Sequence, residues 1–112
     1  MKPVHAQLAS GRWFTLPFAD QMAHIGSEVE RALLWREKHR HSYASAAFER
    51  AIELLDLTVA DAKNVRRLKE LLRVREMLAD FFCFDNEYRS TADSWRACFT
   101  PFFFASRRTA SR

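Results

Sequence analysis

Phe18-Ala19-Asp20-Gln21-Met22-Ala23-His24-Ile25-Gly26-Ser27-Glu28-Val29-Glu30-Arg31-Ala32-Leu33-Leu34-Trp35 is the stretch that decides the fold class. Phe18, Met22, Ile25, Val29, Ala32 and Leu33 recur at spacings of four, three, four, three and one. That is the core stripe of an amphipathic helix and does not fit a strand, where apolar residues alternate. Pro17 just ahead of the stripe is compatible with a helix start, because proline tolerates the first turn. Gly26 costs about 1 kcal/mol of helix propensity; beside Ala23 and Ser27 it suits a close approach by a neighbouring helix.

Working outward, Lys38-His39-Arg40-His41 has no apolar residue and closes this first helix. A second is expected from near Ser42, whose hydroxyl is a candidate cap. Ala44, Ala47, Phe48, Ala51, Ile52, Leu54, Leu55, Thr58 and Val59 give it a wide face to bury. Asp61-Ala62-Lys63-Asn64 is the next break, with Asp61 a candidate cap. Val65, Leu68, Leu71, Leu72, Leu78, Phe81 and Phe82 form a third stripe. A loop-like cluster, residues 85–91, leads through Ser90-Thr91-Ala92-Asp93, which resembles a capping box. The fourth helix carries Trp95, Cys98, Phe99, Phe102, Phe103 and Ser106, with Pro101 expected to kink or restart it. Four helices with short connections predict an all-α protein, an antiparallel four-helix bundle with flexible termini. Its expected parts are a flexible arm over 1–13, the bundle over 14–106 and a basic tail over 107–112.

Composition agrees. The chain has 112 residues, 48% of them hydrophobic and 29% charged, enough for one domain and unlike a disordered chain. Two glycines and three prolines are too few for an all-β protein, which needs frequent turn residues. No run of about 18 apolar residues is present, so no membrane span is expected. No signal-peptide pattern opens the chain, and Cys83 and Cys98 sit in apolar sequence, where free cysteine acts as a small hydrophobe. A cytoplasmic protein is the expectation.

The net charge is +4 and the pI near 9.5. Lys2, Arg12, Arg107, Arg108 and Arg112 lie in the arm and tail, while all 14 acidic residues lie between Asp20 and Asp93. The bundle is therefore close to neutral, and the basic pI belongs to the ends.

The histidines His5, His24, His39 and His41 lack the spacing of a zinc site, and no glutamate has histidine three residues later. Neither a metal nor a cofactor is expected. No Gly-rich phosphate loop or nucleophile elbow is present, and no catalytic residue is assigned. Glu49, Glu53 and Asp56 fall on one face of the second helix; Arg66, Lys69 and Arg73 on one face of the third, with Arg75, Glu76 and Asp80 on another. This pattern fits a cross-helix ion-pair network. It also fits a polar pocket in which Arg73 and Arg75 bind a phosphate or carboxylate. The aromatics, 15 in all, say more. Phe81, Phe82 and Phe84, and Phe102, Phe103 and Phe104, put rings on neighbouring positions about 100° apart, more than one core can absorb. With Trp95 and Phe99 they are the candidate interface of a homo-oligomer or of a complex with a protein partner.

Several segments together resemble a group of short prokaryotic helical proteins with no assigned activity: Gly26–Ala32, Ala47–Thr58, Leu68–Glu76 and Asp85–Tyr88. The resemblance spans about residues 13–106. A looser similarity, through Ala46-Ala47-Phe48-Glu49-Arg50-Ala51, is to HEPN-type helical domains. Active members of that superfamily are ribonucleases with Arg and His four to six residues apart, a spacing that Arg36 and His41 match, although at the turn after the first helix. Other members are non-catalytic partners of nucleotidyltransferases, and small bundles also serve RNA or reverse-transcriptase systems. The chain is thus expected to be a non-enzymatic oligomeric interaction protein. The alternatives are a nucleic-acid-associated accessory factor, binding through the basic tails or the third helix, and a HEPN-like ribonuclease.

Overall fold

A computed structural model of the chain describes residues 11–110. Among these residues the protein is all-α and has no strand. Helix α1 spans Phe18–Glu37, α2 His41–Ala60, α3 Leu68–Cys83 and α4 Ala92–Ala110; short 3-10 turns cover Arg12–Thr15 and Ala62–Arg67.

Cross-helix pairs fix the directions. Trp13, ahead of α1, donates from Nε1 to Thr58 near the end of α2 at 3.0 Å, while the Trp35 ring near the end of α1 packs at a tilt against Tyr43 at the start of α2. Phe48 early in α2 meets Phe82 late in α3. Asp20 early in α1 accepts from Ser106 late in α4, and Arg96 early in α4 binds Glu37 at the end of α1. Successive helices thus alternate in direction, as short connections dictate. α1 is the hub, packed most extensively on α2 and then on α4, whereas α3 meets α2 more lightly. Met22, Ile25, Val29 and Leu33 of α1 join Ala51, Leu54 and Leu55 of α2, Leu71, Leu78 and Phe81 of α3, and Trp95 and Phe99 of α4 in one core.

Gly26 shows why α1 and α4 come so close. A Cβ built there would stand 2.8 Å from Phe99 Cβ and 2.9 Å from Phe103 Cζ, so the ring of α4 occupies the space of a side chain. Helix α4 runs unbroken through Pro101, so no restart occurs; the Thr100 hydroxyl beside it donates to the Arg96 carbonyl.

Four boundaries differ from expectation. The arm cannot extend to residue 13, because Trp13 is fully buried in the core; residues 1–10 lie outside the described residues. The tail cannot start at 107, because α4 continues to Ala110; residues 111–112 lie outside. Helix α2 starts at His41 without a side-chain cap from Ser42. The capping box is shifted by one residue: the Ser94 backbone N–H donates to Thr91 Oγ1 and the Thr91 N–H to Ser94 Oγ. Asp61 does cap, accepting the Lys63 N–H at the start of the second 3-10 turn.

A polar knot seals the end of the bundle where α1 begins. Gln21 donates to the Trp13 carbonyl and to Asp61, and accepts from Asn64, which also donates to the Thr58 carbonyl. These side chains are buried and bonded within the knot, as burial of polar groups requires, and Asn64 Oδ1 alone among them has no partner. Burial pushes the Asp61 carboxyl up. Hydrogen bonds from the Lys63 ammonium, the Gln21 amide and the Lys63 N–H outweigh it and hold the carboxyl below its usual value.

Candidate functional site

Among the described residues, helix α3 is covered on one side only. Leu71, Leu78 and Phe81 face the core, but Leu68, Leu72 and, ahead of the helix, Val65 stay exposed. Val65 therefore does not belong to the core stripe; it lies in the 3-10 turn and is 68% exposed. The exposed flank of α3 continues into the corner that joins it to α4. Phe84 is 74% exposed there, and Tyr88 is exposed as well.

The corner is fixed by its backbone. The Asp80 carboxylate accepts the N–H of Glu87 at 2.9 Å on Oδ1 and of Tyr88 at 3.0 Å on Oδ2. Asn86 and Arg89 take positive φ, 54° and 56°, and the Asn86 side chain bonds both the N–H and the carbonyl of Ser90. Asparagine tolerates that left-handed conformation better than most residues. Asp80 therefore holds up a rigid platform that presents Tyr88 beside α3. Between platform and helix lies a hollow of about 890 Å³ that includes Leu72, Arg75, Glu76, Phe84 and Tyr88 in its wall. A second hollow of about 410 Å³ adjoins it, lined by Lys69, Leu72, Arg73, Glu76 and Tyr88. Burial, then a hydrogen bond to Glu76, raises the Tyr88 phenol above its ordinary value.

The expected polar cluster is only partly assembled. Arg75 reaches across to Asp56, with Nε 2.7 Å from Oδ1. Arg75 is thus held by a carboxylate of its own chain and lines the larger hollow, while Arg73 lines the smaller; they do not converge on one anion. Arg66, Lys69, Arg73 and Glu76 are exposed around Leu72, and Glu49 stands exposed on α2, with Glu53 partly buried.

The expected aromatic interface divides. Phe81, Trp95 and Phe99 are buried inside the single chain, so they serve the fold and offer nothing to a partner. Phe82, Phe102 and Phe103 are half-buried against the same core, and Phe84 and Phe104 remain exposed. Arg36 and His41 do share the rim of a hollow of about 270 Å³ with Ser45 and Cys83. The Arg36 guanidinium, however, donates to the Phe81 carbonyl and lies 4.4 Å over the Phe81 ring, a packing role. Cys83 is exposed, contrary to its apolar neighbourhood in sequence, because it ends α3 where the core has stopped; burial raises the Cys98 thiol.

Asp80 shows in the sequence only as part of the face with Arg75 and Glu76, and its pairing with the backbone that presents Tyr88 has no local pattern. The one signal for Asn86 and Tyr88 is the density of turn formers in residues 85–91. Among the described residues no helix is long and apolar enough to cross a membrane. No protein-family model matches the chain, and neither a curated protein nor a solved structure does.

Proposed function

We propose that this chain is a non-enzymatic interaction protein that works as a homo-oligomer, its copies meeting on the open flank of α3 and the corner beside it. The observation that carries this reading is the grouping of Leu72, Phe84 and Tyr88, three large exposed side chains, around one hollow on a backbone-fixed platform. Large side chains left exposed together at one place on a small protein fit a contact face. The polar rim of Lys69, Arg73 and Glu76 fits an interface whose edge stays wet. Sedimentation velocity of the full chain over a concentration series tests it. The expected result is a mass above the 13.1 kDa of one chain. A single-chain mass at every concentration overturns it.

A second reading, a nucleic-acid accessory factor, is favoured by the exposure of Arg66, Lys69 and Arg73 along one stretch. It requires RNA affinity that falls steeply with salt, since phosphate contacts release counterions. Absence of binding, or a flat salt dependence, removes it.

A further inference from the structure

Charge along α3 and its flanks is sharply divided. From Lys63 to Arg75 the chain carries six basic residues and one acidic, Glu70; from Glu76 to Glu87 it carries four acidic residues and no basic one. An isolated helix favours the reverse order, acids at its N-terminus and bases at its C-terminus. Part of the pattern has local employment: Lys63 pairs with Asp61, Arg67 lies over Phe18, Arg75 pairs with Asp56, Glu76 takes a hydrogen bond from the Tyr88 hydroxyl, and Asp80 holds the corner. Arg66 and Lys69 before Leu72 and Glu76, Asp85 and Glu87 after it remain exposed, with Arg73 exposed beside Leu72. The division falls between Arg75 and Glu76; Leu72, one turn before it, lies between Lys69 and Glu76 on the helix surface and in the wall of both hollows.

A surface that is basic on one side of an apolar residue and acidic on the other is complementary to itself turned by 180°. We infer that two copies of this chain pair through α3 in antiparallel fashion, about a two-fold axis at Leu72. This deepens the self-association proposed above and rests on it. In such an isologous contact each cross-pair occurs twice. Lys69 lies about 4.5 Å before Leu72 along the helix axis and Glu76 about 6 Å after it, at 1.5 Å per residue. The axis therefore sets Lys69 of each copy opposite Glu76 of the other, and Arg66 toward the acidic corner. The apolar centre formed by Leu72 and Tyr88 supplies the burial, and the charges set the register.

Lys69→Glu and Glu76→Lys, made in the full chain, test this by sedimentation equilibrium, with circular dichroism confirming unchanged helix content. Each variant alone places like charges opposite one another twice and is expected to weaken the dimer by about tenfold or more. Mixing the two variants restores both pairs across the axis, so the mixture is expected to dimerise like the wild type. That rescue in trans cannot come from a repaired contact within one chain. Single variants as tightly dimeric as the wild type, or a mixture no tighter than either variant alone, overturn the α3 pairing. If the wild type is itself a monomer at every concentration, the self-association reading fails with it. If the wild type oligomerises and ignores both substitutions, only the α3 geometry fails.

Discussion

Helices α1 and α3 each carry six charged side chains, yet α1 buries eight residues and α3 only three. The difference lies in neighbours. Helix α1 has α2 on one flank and α4 on another, and even its charge Glu28 is buried between Arg31 and Arg50. Among the described residues helix α3 packs on α2 lightly and on no helix extensively, so one stripe of it is core and the rest is surface. One helix therefore holds the molecule together. The other leaves an apolar flank whose residues the fold does not need. Substitutions should separate the two, with stability lost on α1 and its surroundings and association lost on α3.

The largest loss is expected at Trp13→Ala, which empties the end of the core and takes the indole donor from Thr58 Oγ1. A denaturant melt should show about 3–5 kcal/mol less stability, the usual cost of truncating a buried Trp. A loss below 1 kcal/mol would mean that residue 13 belongs to the arm after all. Next comes Gly26→Ala. Alanine gains helix propensity at an ordinary site, but here its Cβ meets Phe99 Cβ at 2.8 Å, and that atom cannot swing away. The expected net effect is a loss of about 1–3 kcal/mol through overpacking. A stabilised variant would show that α4 can move off α1 freely.

The knot around Asp61 gives a pH dependence. Its carboxyl is held below its unfolded value of about 3.9, so the folded state binds the proton more weakly than the unfolded one. The stability it contributes is present above the unfolded value and is lost as pH falls through the folded one. Urea melts of wild type and Asp61→Asn should differ most at neutral pH and converge in acid. A gap that stays constant with pH would contradict the Lys63 and Gln21 hydrogen bonds. Smallest for the fold is Leu72→Ser on α3. Its melt should lie within about 0.5 kcal/mol of wild type, as for ordinary surface positions, while association weakens.

Much of this division was legible in the sequence, and the parts that were not have physical reasons. The α1 stripe from Phe18 to Leu33 and the break at 38–41 follow from periodicity, which burial enforces along a helix packed on two sides. The α3 stripe misleads because Val65, Leu68 and Leu72 are as apolar as Leu71 and Leu78; hydrophobicity marks what wants cover and does not say which cover exists. Aromatic crowding indicated more rings than one core can hold. It could not tell that Trp95 and Phe99 go inside while Phe84 stays out, because that choice depends on Gly26 admitting α4 to α1. Trp13 and Gln21 seal the bundle through partners more than 35 residues away, Thr58, Asp61 and Asn64, which no local pattern reveals. Asp80 and Tyr88 meet through a turn whose shape comes from positive φ at Asn86 and Arg89.

The claim that α3 is kept open for a second copy of the chain is tested most directly by sedimentation equilibrium of Leu72→Arg beside the wild type. The account predicts a wild-type mass of twice 13.1 kDa and a variant that sediments as a single folded chain. Equal masses for the two proteins would contradict it.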